Sequence, residues 1–274
     1  MKIISFVNMK DGTGKTTLAY LLATSINFYL RNRLNHSTAR ILVIDSDPQT
    51  NLTMKMLPEE FRGSAEEFNL ATFYLQSHPL EMVITSTYFE NIDLIPADIS
   101  LGLVEQRLNA RIGGQLLLKQ HLRQLKGYDY VIIDTPPNIG SLTANAVAAS
   151  DYAIVPLTPD SMALKGLEYT ISFVREGKIL NPELSIMGIV LNLVDKRYLT
   201  HRAIMDLTKK KYPEYLLAVI SRRASFHKAI EAHEEPMAVI STSDKGARND
   251  ILNFLKAVFE RMREHGKEKE ERAG

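Results

Sequence analysis

Residues 10–17 read KDGTGKTT, and this stretch decides the fold of the chain. An apolar run, KIISFVN at 2–8, precedes it. Apolar residues at helical spacing follow it, namely Leu18, Leu21, Leu22, Ile26 and Tyr29. This order predicts a strand, a turn of small residues and a helix. Backbone N–H groups of such a turn and the positive end of the helix point at one spot, which suits a polyphosphate. Lys15 adds a positive charge for the terminal phosphates, and the Thr16 hydroxyl is placed to bind Mg²⁺.

The composition excludes several classes of protein. The chain has 274 residues, of which 45% are hydrophobic, and this suits one large α/β domain. The formal net charge is +1, so no global field indicates or excludes a nucleic-acid partner. Cysteine is absent, which fits a reducing cytoplasm and excludes disulfides and cysteine-bound clusters. No stretch approaches the ~20 apolar residues of a membrane span, and we expect no membrane partner.

Apolar β-rich runs alternate with helical patterns along nearly the whole chain. This predicts an α/β fold with a mostly parallel twisted sheet and helices on both faces. The predicted strands are 2–8, 40–44, 91–96, 130–133, 152–156, 184–192, 216–220 and a short last strand at 237–240. The segment 57–90 is less regular and predicts short helices over one edge. A stripe from Ile251 to Met262 predicts a terminal helix packed on the core.

One domain is expected over 1–266. The remaining residues, 267–274, read KEKEERAG. This segment is charged and has no apolar face, so we expect a frayed or disordered tail.

Two aspartates stand where predicted strands end. Asp45 follows RILVI, and Asp134 follows YVII. A single aspartate after an apolar run more often caps a helix or forms a turn. Two of them downstream of a phosphate loop favour a magnesium site, because such ATPases hold Mg²⁺ and its waters with a carboxylate at the end of a neighbouring strand.

Several stretches resemble a known family. The loop departs from the usual phosphate-loop pattern, because Met9 stands in place of a glycine and a second lysine, Lys10, lies just upstream of the turn. The loop resembles the deviant phosphate loop of the ParA/MinD ATPases. DSDPQTNLT at 45–53 and YDYVIIDTPPNIG at 128–140 are similar to two further motifs of that family. The resemblance covers nearly the whole chain and implies a P-loop NTPase architecture with ATP and Mg²⁺ as ligands.

The resemblance also implies roles for residues of the loop. Lys10 would reach across a dimer to the nucleotide of the partner subunit, Lys15 would serve the nucleotide of its own subunit, and Gly12 would lie against the partner. The nucleotide-binding residues implied are Lys10, Asp11, Gly12, Thr13, Gly14, Lys15, Thr16, Thr17 and Asn192. The catalytic residues implied are Lys10, Lys15 and Asp47.

The carboxylates and the segment after Asp134 receive roles in the same way. Asp47 would position and polarise the attacking water. Asp45 and Asp134 would bind magnesium-coordinated water and the hydroxyl of Thr16, which would itself bind the metal. Residues 135–136 would shape the switch that senses the γ-phosphate.

Two positions leave alternatives open. Asn192 stands where the family has its adenine-contacting asparagine, and an amide can pair with the adenine edge. A cap at the end of a strand explains Asn192 equally well. Asp11 replaces the first glycine of the family motif. Either its carboxylate points to solvent, or it weakens ATP binding by repelling the triphosphate.

Basic residues of the C-terminal third form clusters. The clusters are Lys196–Arg197 with Arg202, Lys209–Lys211, Arg222–Arg223 with Lys228, and Lys245 with Arg248. The family binds DNA without sequence preference through basic residues in this part of the chain, a mode that weakens steeply with salt. Arg222 and Arg223 are the first candidates, because they follow a strand and no acid stands near them in the sequence. Lys228 and Arg248 are the further candidates, and 209–211 is interpreted as a solvated helix face.

The resemblance implies a partition ATPase of the ParA/Soj type. ATP would close a homodimer that binds double-stranded DNA non-specifically, and a ParB-like centromere-binding protein would stimulate slow hydrolysis to ADP and phosphate. Such a protein would be cytoplasmic and associated with the nucleoid. One alternative keeps this cycle with a cargo other than DNA. A MinD-like membrane switch would need a free C-terminal amphipathic helix, and a biosynthetic ligase related to dethiobiotin synthetase is disfavoured by Lys10 and the DPQ motif.

Overall fold

The computed structural model describes residues 1–33, 39–240 and 244–273, and their side chains except those of Arg33 and 268–273. The first half of the chain forms β1 (Lys2–Phe6), α1 (Lys15–Arg33), β2 (Ile41–Asp45), α2 (Asn51–Met56), α3 (Arg62–Glu67), α4 (Leu70–Tyr74), β3 (Thr85–Ser86), β4 (Ile92–Ile95), α5 (Leu101–Ala110), α6 (Leu117–Leu122) and β5 (Tyr130–Asp134). The second half forms α7 (Ser141–Ala149), β6 (Tyr152–Leu157), α8 (Ala163–Glu176), β7 (Ser185–Val194), α9 (Leu199–Lys211), β8 (Leu216–Ser221), α10 (Ala224–Glu231), α11 (Pro236–Val239) and α12 (Lys245–Ala273).

The strands of the described residues form one sheet in the order β3-β4-β2-β5-β1-β6-β7-β8. All neighbouring pairs are parallel except β3 with β4 at one edge. The first strand lies inside the sheet, where Ile4 is paired with Ile132 of β5 on one side and with Tyr152 of β6 on the other. The predicted fold class, a mostly parallel sheet in an α/β protein, is confirmed.

Helices cover both faces of the sheet, and this explains why the strands read as continuous apolar runs. Successive residues of β1 enter different clusters. Ile4 packs with residues of α1 and α12, and Ile3 packs with residues of α4 to α7. The apolar stripe of α12 is buried against α1 and the sheet, as its spacing predicts. A third cluster lies between β6, β7 and α8.

The prediction of a short last strand at 237–240 is wrong. Pro236 starts a helical turn there, and the Ile240 amide donates to the Pro236 carbonyl at 3.0 Å. Proline suits the first turn of a helix because its φ is already helical and its missing N–H is not needed there. The preceding Glu235 anchors this turn to α1 by accepting from Asn27 at 2.9 Å and from Arg31 at 2.6 Å.

The last helix reaches further than the sequence predicts. The backbone of 267–273 continues α12, whereas a frayed tail is expected there, and Gly274 lies outside the described residues. Lysine and glutamate are good helix formers, which favours continuation of the helix. Within the described ranges, no helix combines the length and the apolar composition that crossing a membrane requires.

Candidate nucleotide-binding site

The carboxyl ends of three adjacent strands bring the predicted site together. Asp134 at the end of β5 is paired with Phe6 at the end of β1 and with Asp45 at the end of β2. The loops that follow these strands therefore leave the same edge of the sheet, where α/β proteins bind their ligands.

The phosphate loop depends on two glycines and on an amide beneath it. Gly12 and Gly14 have φ angles of +70° and +86°, which residues other than glycine rarely adopt. A Cβ on Gly14 would lie 2.1 Å from the Nδ2 atom of Asn192. That Nδ2 atom donates to the Thr13 carbonyl at 2.9 Å, and Asn192 is 1% exposed. The Asn192 side chain thus holds the loop by a hydrogen bond to its backbone, and its contact with adenine stays a prediction.

Lys15 lies inside the loop among the acidic side chains of the site. Its side chain is buried, and Nζ donates to the Lys10 carbonyl at 3.3 Å. Burial lowers the pKa of Lys15, while the charges of Asp134 and Asp47 oppose this shift. The ammonium is therefore placed where it counterbalances the carboxylates of Asp134 and Asp47.

Thr16 and Asp134 form the part of the site that fits a magnesium ion. The Thr16 hydroxyl donates to Oδ2 of Asp134 at 2.6 Å. Oδ1 of Asp134 is buried and has no hydrogen-bond partner among the described residues. Burial raises the pKa of Asp134 well above its usual range, and the charge of Asp45 raises it further. Two desolvated carboxylates beside a hydroxyl oxygen are a donor set that a hard cation would stabilise.

This donor set is incomplete as a protein-only metal site. Among the described residues, no group of three or more His, Cys, Asp or Glu side chains could hold a metal ion. Mg²⁺ usually keeps several waters and takes one or two carboxylates together with phosphate oxygens. The residues present fit that mode of binding, in which the nucleotide supplies part of the coordination.

Asp45 and Asp47 are held by the turn that connects β2 to α2. Asp45 is fully buried, and burial raises its pKa to about 6. Its Oδ1 atom accepts from the Asp47 amide at 3.1 Å. Asp47 in turn accepts from the Gln49 amide at 2.9 Å and remains 7% exposed. Burial raises the pKa of Asp47, whereas the Lys15 charge lowers it.

The Lys10 side chain pairs with an acid of its own chain. Its ammonium forms an ion pair with Asp160, which follows β6. The Asn8 side chain fixes the backbone of Lys10 beside the end of β6. Its Oδ1 atom accepts from the Lys10 amide at 2.8 Å, and its Nδ2 atom donates to the Pro156 carbonyl at 2.5 Å. Asn8 and Asp160 are not among the site residues predicted from the sequence. Their only signal is that both stand just after a strand at this edge of the sheet.

Asp11 is exposed, and its Oδ1 atom accepts from the Gly12 amide at 2.7 Å. The positive φ angles of the loop fall on Gly12 and Gly14 rather than on Asp11, so the turn does not require glycine at position 11. The Asp11 charge nevertheless acts on the site, because it raises the pKa of both Lys15 and Asp47. Its effect on ATP affinity stays a prediction.

The other predicted residues lie around this centre. Thr13 is buried within the loop, and Thr17 is half-buried in the first turn of α1. Thr135 is buried and donates to the Phe6 carbonyl at 2.7 Å, which ties the segment after β5 to β1. Pro136 is buried beside it.

The predicted DNA-binding residues differ in their surroundings. No acid stands near Arg223 in the sequence, but the fold places two beside it, because the start of α12 packs beside the end of β8. Nη1 of Arg223 lies 2.7 Å from Asp244, and Nε lies 3.7 Å from Asp250. Arg222 is exposed and forms no ion pair with a described residue, while Lys228 and Arg248 are exposed on α10 and α12.

Comparisons with known proteins agree with this geometry. A family profile described as an AAA domain matches residues 1–186. The chain is 34% identical to the sporulation initiation inhibitor protein Soj of Bacillus subtilis, over 90% of this chain and 94% of Soj. The chain belongs to the ParA/Soj family. It is also 30% identical to the chromosome partitioning protein ParA of Myxococcus xanthus, over 90% of this chain and 84% of that relative.

A solved structure supports the placement of the chain in the ParA/Soj family of P-loop ATPases. The plasmid partition protein of Borrelia burgdorferi B31, crystallised with AMPPNP, superposes with a TM-score of 0.77. It shares 26% sequence identity, and the match covers 94% of this chain and 98% of that one.

Proposed function

We propose that this ParA/Soj family member is a DNA partition ATPase that hydrolyses ATP to ADP and phosphate. The observation that carries the proposal is the difference in surroundings between the two lysines of one loop. Lys15 is buried among the carboxylates of its own site, whereas the Lys10 side chain is 41% exposed and lies outside it. In this proposal, a second subunit would present its nucleotide to the ammonium of Lys10.

The residues of the site would hold Mg²⁺ and ATP together. Thr16 and Asp134 would bind the metal and its waters, with Asp45 behind them, and Lys15 would contact the terminal phosphates. A bound Mg²⁺ neutralises charge that develops on the phosphates. Asp47, at the mouth of the site, would orient the attacking water. Positioning and charge compensation account for this kind of catalysis, so no group needs to titrate near neutral pH.

Dimer formation would require Lys10 to leave Asp160. The Borrelia partition protein, which has a similar fold and binds an ATP analogue, supports nucleotide binding at this loop. In the proposed ATP-bound homodimer, Lys10 would exchange the Asp160 carboxylate for the nucleotide of the partner subunit. The ion pair would thus belong to the free subunit.

The proposed DNA surface is centred on Arg222. The Arg222 amide donates to the Val194 carbonyl at 2.9 Å, which places it beside the loop that carries Lys196. Both side chains are exposed, and Lys228 of α10 and Arg248 of α12 are further exposed candidates. Contacts to phosphates need only such accessible cations and carry no sequence readout. Arg223 is excluded from the first set, because it pairs with Asp244.

The cycle would be completed by a ParB-like centromere-binding protein that stimulates hydrolysis. We expect the ATP-bound form to be nucleoid-associated in the cytoplasm. A membrane-bound alternative loses its support, because Ile251, Leu255 and Val258 of α12 are buried in the core.

A DNA-binding titration tests the proposal. Binding to random double-stranded DNA is measured with ATP, with ADP and without nucleotide, each at two salt concentrations, and Lys15→Ala serves as the control that cannot bind nucleotide. We expect ATP-dependent binding that weakens steeply with salt. Binding that ignores the nucleotide would refute the switch. Dimerisation on ATP without DNA binding would favour the alternative of a cargo other than DNA.

A further inference from the structure

A buried threonine connects the carboxylate at the end of β2 to the loop after β4. Oδ2 of Asp45 accepts from both the amide and the hydroxyl of Thr53, at 2.8 Å and 2.7 Å. The same hydroxyl oxygen accepts from the Ala97 amide at 2.9 Å. Thr53 is 5% exposed and belongs to α2, whereas Ala97 follows β4.

The bond from Ala97 decides which way the Thr53 hydroxyl points. A hydroxyl has one proton to donate and also accepts hydrogen bonds. Since the Ala97 amide can only donate, the oxygen of Thr53 accepts from it, and the hydroxyl proton is directed to Asp45. The carboxylate of Asp45 therefore receives two N–H donors and one O–H donor, counting the Asp47 amide on its other oxygen.

The loop after β4 is itself connected to the segment that follows Asp134. This loop leads into α5, and Glu105 of α5 accepts from the Leu142 amide at 3.3 Å. Asn109 of the same helix accepts from the Ser141 hydroxyl at 2.5 Å. The chain thus forms a continuous set of contacts from Asp45 through Thr53 and α5 to the N-terminus of α7, which follows the loop after β5.

We propose that Thr53 is a positioning residue of the magnesium site, which acts by fixing the orientation of the Asp45 carboxylate through the hydrogen bonds from its amide and its hydroxyl. The proposal rests on the proposed nucleotide site and adds a residue to it. Thr53 would contact neither nucleotide nor metal. Its effect would pass through Asp45, in the way that outer partners of metal ligands fix ligand orientation.

A matched set of variants tests this role. Thr53→Val removes the hydroxyl at nearly constant size, and Thr53→Ser restores it. Thr208→Val is the control, because Thr208 is also buried in a helix and its hydroxyl donates only to the Ile204 carbonyl, at 2.8 Å. Binding of fluorescent ADP is measured in EDTA and over a range of Mg²⁺ concentrations.

For Thr53→Val we expect unchanged binding in EDTA and an Mg²⁺ requirement raised by about tenfold, as for loss of an outer partner of a metal site. Thr53→Ser should return to within about threefold of the wild type, and Thr208→Val should match it. An Mg²⁺ requirement equal to that of the wild type in Thr53→Val would overturn the proposal. A wild type that binds no ADP would instead refute the nucleotide site itself.

A measurement on the wild type decides the case in which Thr53→Val does not fold. By linkage, Mg²⁺ that binds at Asp45 in the orientation fixed by Thr53 must also stabilise the hydrogen bonds that fix this orientation. We expect hydrogen exchange of the Ala97 and Thr53 amides to be slower by at least about threefold with Mg²⁺ and ADP than with EDTA and ADP. Equal exchange in both states would overturn the connection through Thr53.

Discussion

Replacing Arg223 and Arg222 separately by alanine should affect two different properties, stability and DNA affinity, although the residues are neighbours. Arg223 pairs with Asp244 and Asp250 and joins the end of β8 to the start of α12. Arg222 is exposed and forms no ion pair with a described residue. Arg223→Ala should therefore lower stability, whereas Arg222→Ala should lower DNA affinity.

The expected loss of stability depends on the hydrogen bonds that Asp244 retains in Arg223→Ala. Without Arg223, Asp244 still accepts from the Ala247 amide at 3.0 Å and from the Ser225 hydroxyl at 2.9 Å. Hydrogen bonds to charged groups contribute about 1.5–3 kcal/mol, and the partial exposure of this pair reduces that value. We expect a loss of about 1–2 kcal/mol, or about 2–4 °C in Tm, because an unfolding entropy of about 2.1 cal/mol/K per residue amounts to about 0.6 kcal/mol/K for 274 residues.

The assays are thermal unfolding and a salt titration of DNA binding. Arg222→Ala should stay within about 0.5 kcal/mol of the wild type, because exposed substitutions rarely cost more. Its plot of log affinity against log salt should lose about one unit of slope per protomer. If Arg223→Ala were as stable as the wild type and lost DNA binding more strongly than Arg222→Ala, the assignment of the two arginines would be reversed.

Three further predictions concern the nucleotide site. Lys10→Ala should bind ATP but form no ATP-dependent dimer by light scattering. Asp160→Asn should dimerise at up to about 30-fold lower protein concentration, since the dimer would break one exposed ion pair per protomer and each contributes at most about 1 kcal/mol. Wild-type behaviour of both variants would remove Lys10 from the interface. Asp47→Ala should dimerise on ATP but hydrolyse it at least about 100-fold more slowly in a phosphate-release assay, as expected for loss of a positioned catalytic group, and normal turnover would exclude Asp47. In EDTA, the free energy of unfolding should fall as the pH rises from about 4 to about 6. The reason is that the folded chain binds the proton of Asp45 more tightly than the unfolded chain does. The rise of the Asp45 pKa from 3.8 to about 6 corresponds to on the order of 3 kcal/mol. Asp45→Asn should lack this part of the pH dependence in urea unfolding, and an unchanged profile would contradict the assignment.

The sequence predicts the sheet and the centre of the site because both depend on local patterns. Apolar runs that end in aspartate locate β2 and β5, and a lysine between small residues locates the loop. Parallel pairing then brings Asp45 and Asp134 together without further information. The one predicted strand that is helical, at 237–240, contains β-branched residues, but Pro236 and the anchoring of Glu235 to α1 decide its structure.

The contacts that the sequence does not reveal join residues far apart in the chain. Arg223 looks free in the sequence, because Asp244 and Asp250 come close only when α12 packs on the sheet. Asp160 gives no signal beyond its place after an apolar run, and its ion pair with Lys10 depends on β1 and β6 being neighbours. Such pairs require the tertiary structure, whereas a motif can be read within ten residues.

The ion pair between Lys10 and Asp160 is suited to bias a dimerisation switch rather than to block it. Both side chains are more than one-third exposed, so the pair contributes at most about 1 kcal/mol, a factor of about five in an equilibrium. A buried ion pair would cost several kcal/mol to separate and would therefore oppose dimerisation strongly. The negative charges of the Asp45 and Asp134 carboxylates are desolvated and repel each other, so Mg²⁺ and ATP would have the larger effect on the equilibrium. In the proposed cycle, the nucleotide would therefore exert the main control of the switch, and Asp160 would exert a smaller adjustment.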